Sequence, residues 1–223
     1  MQIVLTTEIL LEAYRHGLFP MAQSAESTYV HWICPDMRGQ LSIEALHIPR
    51  RLAKEVRQQK IGGVPYEITV DQDFAAVIGA CGRKAENRAD TWINPEIFKA
   101  YCALHDAGHA HSVECWQNGE LAGGLYGVSI GRAFFGESMF SVRRDASKVS
   151  LIHLVARLWR SGYKLLDTQF VNSHLEQFGV YEIPYADYML QLEPALKGEA
   201  DFTCAGFNEK QIVSDYFKMR KML

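Results

Sequence analysis

The sequence predicts an α+β sandwich, and two observations carry this prediction. From residue 110 onward, apolar strand-like segments follow one another through short turns at Asn118-Gly119 and at Gly131. Asn-Gly between two such segments is the strongest short hairpin signal. A helix then precedes two further strands. The predicted order is therefore three antiparallel strands, a helix, a strand, a short helix and a final strand.

Local signals place the individual elements. Thr6-Thr7, apolar residues at spacings of three and four, and Gly17 predict the first helix. Pro95 begins another helix, because proline suits the first helical turn. The predicted elements, in chain order, are helix 8–16, strand 29–33, helix 49–60, strand 66–70, helix 71–82 capped by Asp71, a charged loop at 83–90, helix 95–107, strands 111–116, 120–129 and 133–140, helix 146–160 capped by Asp145, strand 163–170, a short helix at 173–178, strand 180–183, a helix from 184 and a helix at 208–222.

Composition limits the class of protein. An apolar content of 48% and a charged content of 22% are typical of a globular protein with an ample core. The formal charge of −3 excludes the bulk cation expected of a chain that coats nucleic acid, although a local basic face remains compatible with it. We divide the chain into a small N-terminal domain, 1–62, and a larger domain, 63–223, with a boundary as late as about 108.

Cysteine usage and hydropathy predict a cytoplasmic location. The five cysteines show no CxxC spacing, which favours reduced thiols over a zinc knuckle or a disulfide framework. No segment approaches the roughly 18 apolar residues that span a bilayer, and the N-terminus lacks the layout of a secretion signal. The histidines lack HExxH geometry, and GxSxG is absent, so neither a metal site nor a serine nucleophile is predicted.

Asp167 and Gln169 are the most informative residues of the chain. They lie two positions apart in the apolar segment 165–170, and strand alternation would point both side chains to one face. Burying an acid beside an amide costs several kcal/mol unless partners satisfy both groups. A functional site and an ordinary hydrogen-bonded pair at a strand end both fit this pattern.

Glycines inside two predicted strands indicate a pocket beside them. Gly123-Gly124 and Gly136 occupy strand positions where glycine marks a bulge or a ligand close to the backbone. Glu137, amid large apolar side chains, needs a partner, and a ligand cation is a candidate. The apolar residues that would line either this pocket or a plain core are Leu125, Phe134, Phe135, Met139, Leu151, Leu158 and Leu166.

Two cationic segments are candidates for a phosphate-binding face. Helix 49–60 carries five basic residues against a single acid, Glu55, and a solvated helix face is the alternative interpretation. The start of helix 146–160 also gathers cations where a helix favours anions. The residues that would contact a phosphate backbone on this face are Arg50, Arg51, Lys54, Arg57, Arg143 and Lys148.

The order of the elements resembles the GNAT-type N-acetyltransferase fold, in which a splayed sheet holds an acyl donor. We therefore expect a GNAT-like acyltransferase fold, a splayed mixed sheet with flanking helices, preceded by a smaller N-terminal α+β domain. A coenzyme A enzyme would usually have a glycine-rich pyrophosphate loop at 143–148, and none is present. This absence favours a donor other than coenzyme A.

Longer motifs resemble the leucyl/phenylalanyl-tRNA–protein transferases over roughly residues 5 to 192. The motifs are 13–20 (AYRHGLFP), 91–93 (TWI), 109–114 (HAHSVE), 123–128 (GGLYGV), 134–141 (FFGESMFS), 146–148 (ASK) and 166–169 (LDTQ). The resemblance implies an enzyme that moves Leu or Phe, and Met less well, from a charged tRNA onto proteins with N-terminal Arg or Lys. The product would then be degraded through the N-degron route.

The resemblance also implies roles for individual residues. Asp167 and Gln169 would be the catalytic pair, and Glu137 would help to bind the reacting amine. Trp92 would contact the terminal adenosine of the tRNA, and Met21 stands where many members have Trp. The residues implied to line the aminoacyl pocket are Leu125, Phe134, Gly136, Met139, Leu151, Leu158 and Leu166.

The chemistry of the donor limits what else is required. An aminoacyl ester is already activated, so we expect no cofactor, no ATP and no metal. We expect Gln169 to orient the amine, and Asp167 to polarise Gln169 and stabilise the developing ammonium. The expected partners are tRNA bearing Leu, Phe or Met and acceptor proteins with N-terminal Arg or Lys, with no membrane, and the protein is expected to be a monomer.

Two rival functions accompany this prediction, and two further departures from the family pattern add to that at Met21. A small-molecule N-acetyltransferase could use the same fold, and a non-catalytic tRNA- or peptide-binding module could use the same surfaces. Asp145 stands where Asn is common and adds negative charge near the presumed RNA path. We assign no family motif to the segment after residue 195.

Overall fold

The computed structural model describes residues 5–83 and 91–222, so the loop predicted at 83–90 lies, except for its first residue, outside the described residues. The elements in chain order are α1 (Thr7–Arg15), β1 (Phe19–Ala22), β2 (Val30–Ile33), β3 (Met37–Leu41), α2 (Arg50–Gln58), β4 (Lys60–Ile61), β5 (Val64–Pro65), β6 (Glu67–Val70), α3 (Phe74–Cys81), α4 (Pro95–Asp106), β7 (Ala110–Gln117), β8 (Glu120–Ile130), β9 (Ala133–Ser141), α5 (Ala146–Arg160), β10 (Leu165–Gln169), α6 (Ser173–Glu176), β11 (Tyr181–Pro184), α7 (Tyr185–Leu196) and α8 (Glu209–Met219).

Seven strands form one central sheet in the order β11-β3-β10-β9-β8-β7-β6. β9 and β10 are parallel, and every other neighbouring pair in this sheet is antiparallel. The predicted α+β architecture, a mixed sheet with flanking helices, is confirmed, while the likeness to the GNAT fold stays a prediction. The hairpin at Asn118-Gly119 is also confirmed, because both residues adopt positive φ angles, 54° and 76°, between β7 and β8.

Helices cover both faces of the sheet and form two cores. One core contains apolar residues of α2, α5 and α8, and the other contains those of α1, α3, α4 and α7. Side chains alternate along each strand, so β9 sends Phe134 into the α5 core and Phe135 into the other. α5 is buried along most of its length, because it packs between the sheet and the other elements of this first core.

The two parallel strands separate at their carboxyl ends. β9 and β10 pair from Ala133 opposite Leu165 to Phe135 opposite Asp167. Just beyond this, the ladder between β8 and β9 shifts register next to Glu137, and the ladder between β3 and β10 shifts after Asp167. Bulges bend strands, and here they splay two neighbours apart. A Cβ built on Gly136 would meet only one atom within 4 Å, a carbonyl oxygen at 3.5 Å, so space opens beside it.

The sequence does not predict four of the strands, β1, β3, β4 and β5, and the structure also differs from the prediction at two helix caps. β3 is not predicted, although it lies between β10 and β11 in the central sheet. Asp71 does not cap α3, since Asp73 accepts from the Ala76 N–H at 3.0 Å and fills that role. Asp145 occupies the N-cap position of α5 with a φ of 63°, but its side chain makes no capping bond.

The division into 1–62 and 63–223 stays a prediction. β3 belongs to the first of these segments, and it pairs with β10 and β11 of the second. Among residues 5–83 and 91–222, every helix is too short or too polar to cross a membrane.

Candidate active site

Asp167 is completely buried and surrounded by hydrogen-bond donors. Arg38, on the neighbouring β3, donates from Nε to both carboxylate oxygens at 2.9 Å and from Nη2 to Oδ2 at 2.7 Å. Tyr188 of α7 donates its hydroxyl to Oδ2 at 2.7 Å. Burial alone would lower the pKa of Arg38, but the charge of Asp167 raises it, so the guanidinium stays protonated.

Arg38 is held as firmly as the acid that it neutralises. Its Nη1 donates to the carbonyl oxygen of Gly17 at 2.7 Å. Its guanidinium carbon lies 5.0 Å from the ring centroid of Phe19 and 4.7 Å from that of Tyr188. A fully buried ion pair with satisfied hydrogen bonds fixes the positions of the strands that carry it. β3, β10 and the segment after α1 are thereby joined.

Gln169 connects this ion pair to the second acid of the site. Its main-chain N–H donates to Asp167 Oδ1 at 2.7 Å, and its Nε2 donates to Glu137 Oε1 at 3.0 Å. Gln169 adopts a φ of 58°, which is unusual for a residue with a side chain and costs about 1–3 kcal/mol. The bulge places Gln169 against Glu137, so the two predicted residues meet through irregular backbone and not through simple strand alternation.

Glu137 is bound by phenols and an amide, and no cation contacts it within the described ranges. Tyr14 of α1 donates to its Oε1 at 2.6 Å, and Tyr101 of α4 donates to its Oε2 at 3.2 Å. The two tyrosine hydroxyls also lie within hydrogen-bonding distance of each other, so their two protons are shared among three contacts. Burial raises the pKa of both phenols far above the ordinary value, so both remain donors at neutral pH.

The environment of Glu137 moves its pKa towards neutrality. Desolvation by burial raises this pKa to about 7, against the hydrogen bonds from Tyr14 and Tyr101, which lower it. Glu137 nevertheless keeps part of its surface exposed, whereas Asp167 keeps none. A carboxyl group of this kind can both accept and release a proton near pH 7.

The predicted pocket residues lie together on the α5 side of the sheet. Six of them have side chains that belong to, or pack against, one apolar core, and Gly136 lies beside them at the splay between β9 and β10. The six residues are Leu125, Phe134, Met139, Leu151, Leu158 and Leu166. A separate groove of ≈ 450 Å³ lies at the β6 edge of the sheet and is lined by none of these residues.

The residues predicted to meet the terminal adenosine are neighbours in the structure. The Ala22 N–H, next to Met21 on β1, donates to the carbonyl oxygen of Trp92 at 3.2 Å. Both Met21 and Trp92 are partly buried against the core that contains α1 and α4. This is the same core that surrounds Tyr14 and Tyr101, so the two segments lie on the Glu137 side of the sheet.

The predicted cationic residues fall into two groups that the structure joins. Arg51 of α2 contacts Asp145 at 2.6 Å, and Lys148 contacts the same carboxylate at 3.2 Å. Burial alone would raise the pKa of Asp145, but these partners lower it. The charge of Asp145 is therefore compensated, and it adds little negative potential to this surface. Arg50 and Lys54 are exposed on the same helix.

The other predicted cations have partners outside this cluster. The guanidinium carbon of Arg57 lies 4.6 Å from the ring centroid of Phe217, and Arg143 contacts Glu120 at 3.2 Å. Both side chains remain exposed. An exposed ion pair such as Arg143–Glu120 is worth little, so a polyanion could replace Glu120 at small cost.

The sequence prediction omits four residues that build the site, namely Tyr14, Arg38, Tyr101 and Tyr188. One signal for Arg38 exists, because a buried Asp167 requires a cationic partner. The segment 37–41 contains Arg, Gly and Gln and has no apolar pattern, so it does not resemble a strand of a central sheet. The tyrosines donate across sequence separations that local patterns do not reveal, 123 residues for Tyr14 and Glu137.

Comparison with known proteins agrees with these motifs. Residues 40–193 match the family model of the leucyl/phenylalanyl-tRNA protein transferases, and residues 4–36 match the model of their N-terminal domain. A leucyl/phenylalanyl-tRNA–protein transferase of Rhodopseudomonas palustris is 52% identical over 198 residues, 89% of this chain and 86% of the relative. A protein of the same name from Maricaulis maris is 52% identical over 88% of this chain and 88% of the relative. Another, from Ruegeria pomeroyi, is 52% identical over 89% of this chain and 90% of the relative.

Proposed function

Because the chain belongs to the leucyl/phenylalanyl-tRNA–protein transferase family, we propose that it transfers an amino acid from aminoacyl-tRNA to a protein. The donor amino acid is leucine or phenylalanine, and methionine less well. The acceptor is the α-amino group of a protein that begins with arginine or lysine, and the product is marked for N-degron degradation. The reaction takes place in the cytoplasm, where charged tRNA is found.

One observation carries this proposal: Gln169 and Glu137 face each other at the splayed ends of β9 and β10. Gln169 Nε2 is engaged by Glu137, so Gln169 Oε1 is the end of the amide that can accept from an amine N–H. Glu137, with a pKa of about 7, matches an acceptor amine whose pKa is roughly 7.7–8. Two adjacent acceptors at this position suit an incoming ammonium or amine.

The reaction is an aminolysis of the ester. The amine nitrogen attacks the ester carbonyl carbon, and a C–N bond forms while the C–O bond to the ribose of the terminal adenosine breaks. Glu137 accepts a proton from the amine, and a proton returns to the departing ribose oxygen, so the transfer consumes no cofactor. Oriented binding of the two reactants supplies several kcal/mol of the barrier.

Asp167 acts in this mechanism through position. Its carboxylate accepts from Arg38, Tyr188 and the Gln169 N–H, and this shell leaves it with no exposed surface. It therefore fixes the backbone of Gln169 and contributes a compensated charge to the site, and it polarises Gln169 through the main chain. Gln169 and Glu137 are the groups that touch the amine.

The donor's side chain occupies the apolar cluster on the α5 side of Gly136. The splay beside Gly136 supports this arrangement, because a group bound on that side can reach Glu137 between the two strands. One methylene is worth about 1–3 kcal/mol in an apolar pocket, which allows Leu, Phe and Met to be accepted. A β-branched side chain such as that of Ile or Val would fit less well.

The tRNA is held at two places. Met21 and Trp92 lie on the Glu137 side of the sheet and contact the terminal adenosine, while α2 and the start of α5 present cations to the acceptor-stem backbone. Arg50 and Lys54 are one helical turn apart, and we found no partner for either within the described ranges. These contacts are electrostatic and read no base sequence.

A transfer assay tests the proposal. The reaction contains tRNA charged with labelled leucine and a peptide that begins with arginine, and an otherwise identical peptide that begins with alanine serves as the acceptor control. The wild-type protein should label the first peptide and not the second. Gln169→Ala should lower the transfer rate by about 10²-fold or more, whereas Gln211→Ala, which removes an exposed amide on α8, should not. Labelling of neither peptide by the wild-type protein would refute the proposed function.

A further inference from the structure

The segment after α7 is part of the core that contains the proposed donor pocket. We call residues 197–222 the C-terminal tail. The family match ends at residue 193, so the tail lies beyond it. Its buried side chains nevertheless belong to the same apolar core as α5; they are Phe202, Cys204, Ile212, Val213, Tyr216 and Phe217. The tail therefore contributes to the α5 side of the sheet.

Phe202 is the tail residue that contacts the proposed pocket. Its ring stacks on the ring of Phe134, with centroids 5.3 Å apart and planes 13° from parallel. It also stacks on His111 at 4.2 Å and meets Tyr163 edge to face at 6.4 Å. Only 3% of Phe202 is exposed. Phe202 thus occupies the space behind a residue that we assign to the pocket wall.

Phe134 is confined from a second direction as well. A Cβ built on Gly127 of β8 would lie 2.8 Å from Cζ of the Phe134 ring, so the ring packs directly against the backbone there. The ring is held by the Gly127 backbone and by the Phe202 ring. Protein interiors are close-packed, so removing one of these two supports changes where the ring can lie.

The position of Phe202 is set by its own backbone. Arg157 of α5 donates from Nη1 to the carbonyl oxygens of Phe202 and Thr203, both at 2.8 Å. The same guanidinium pairs with Glu209, and its carbon lies 5.6 Å from the Phe202 ring centroid. A buried arginine that holds two consecutive carbonyl groups leaves the Phe202 ring little freedom.

We propose that Phe202 is a specificity-determining positioning residue, which sets the depth of the donor pocket by supporting the ring of Phe134. This inference rests on the proposed function, because it assigns Phe134 to the pocket for the donor's side chain. A smaller residue at 202 would let the Phe134 ring retreat and deepen the pocket. The larger phenylalanine side chain uses added depth, and leucine gains nothing from it.

The test compares donors. Initial rates with tRNA carrying phenylalanine and with tRNA carrying leucine give kcat/KM for the wild-type protein, for Phe202→Leu and for the more conservative Phe202→Met. The ratio of kcat/KM for phenylalanine to that for leucine should rise about three- to tenfold in Phe202→Leu and by less in Phe202→Met. Phe202→Met has about the volume of leucine but a longer, flexible side chain that can still reach the Phe134 ring, and it keeps the test available if Phe202→Leu does not fold.

Tyr216→Leu is the matched control, because it removes a buried aromatic ring of the same tail. The ring of Tyr216 packs against Trp159 and Phe217, and its hydroxyl donates to the Ile43 carbonyl oxygen at 2.8 Å. Tyr216→Leu should destabilise the protein and leave the ratio of kcat/KM for phenylalanine to that for leucine unchanged. A ratio within twofold of wild type in both Phe202 variants, or an equal shift in Tyr216→Leu, would overturn the inference. A wild-type protein inactive with every donor would instead refute the proposed function and remove the basis of the inference.

Discussion

Replacing Arg38 by methionine tests whether the buried ion pair organises the site. Methionine fills similar space and removes three contacts of 2.7–2.9 Å to Asp167. The carboxylate of Asp167 has no exposed surface, so water cannot replace the guanidinium. Removing one partner of such a pair costs about 3–5 kcal/mol, because a buried charge is left uncompensated.

The measurement is the free energy of unfolding from urea titration, with the slope m compared between variants. Arg38→Met should lose about 3–5 kcal/mol. Arg15→Met, which removes an exposed arginine paired with Glu12 at 3.2 Å, should lose less than about 1 kcal/mol. The double variant Arg38→Met with Asp167→Leu should be more stable than Arg38→Met alone, because it removes the unpaired charge as well.

Two results would contradict this reasoning. A loss in Arg38→Met as small as that in Arg15→Met would mean that water or a rearranged side chain compensates Asp167. A double variant no more stable than Arg38→Met would mean that the loss arises from packing between Phe19 and Tyr188 and not from charge.

Three further predictions follow from the same contacts. Glu137→Gln should lower kcat/KM by about 10²- to 10⁴-fold and make the fall in rate below pH 7 less steep, since protonation of Glu137 no longer adds to protonation of the acceptor amine; an unchanged steepness would exclude this role. Arg50→Ala with Lys54→Ala should reduce the slope of log K for tRNA binding against log salt by about one unit for each lost phosphate contact, whereas a slope equal to wild type would make α2 a solvated face. Burial, and then the charge of Arg157, lower the pKa of His153 to about 3. Below about pH 6.5 the unfolded chain therefore binds a proton at this histidine that the folded protein does not bind. The free energy of unfolding should consequently fall as the pH drops from about 6.5 towards 3. His153→Gln should flatten that fall by up to about 1.4 kcal/mol per pH unit in urea titrations, and an equal slope in the variant would show that the imidazole does not control it.

Most elements are predictable because their signals are local. The Thr6 cap of α1, Pro95 at the start of α4 and Asn118-Gly119 between β7 and β8 each determine a boundary within a few residues. β3 has no such signal, since its strand character comes from its neighbours in the sheet. Its backbone pairs with β10 and β11, and those strands lie more than a hundred residues away in the sequence.

The residues of the site also divide into some that the sequence reveals and some that it does not. Asp167, Gln169 and Glu137 are conspicuous in the sequence because polar groups in apolar strands need partners. Their partners are not conspicuous, since Arg38 and Asp167 are 129 residues apart and Tyr188 lies on a helix with no polar pattern that points inward. The backbone angles are also hidden, because a positive φ at Gln169 depends on the bulge that the tertiary structure imposes.

The two acids of the site owe their difference to their partners. Asp167 has a guanidinium in direct contact and no exposed surface, so a fixed positive charge compensates its carboxylate. Glu137 has phenols and an amide, which donate hydrogen bonds but carry no positive charge, and desolvation therefore dominates its pKa. Arg38 lowers the pKa of Glu137 only from a distance. Asp167 is thus suited to hold the backbone, and Glu137 to exchange a proton with an amine, although Gln169 hydrogen-bonds to both of them.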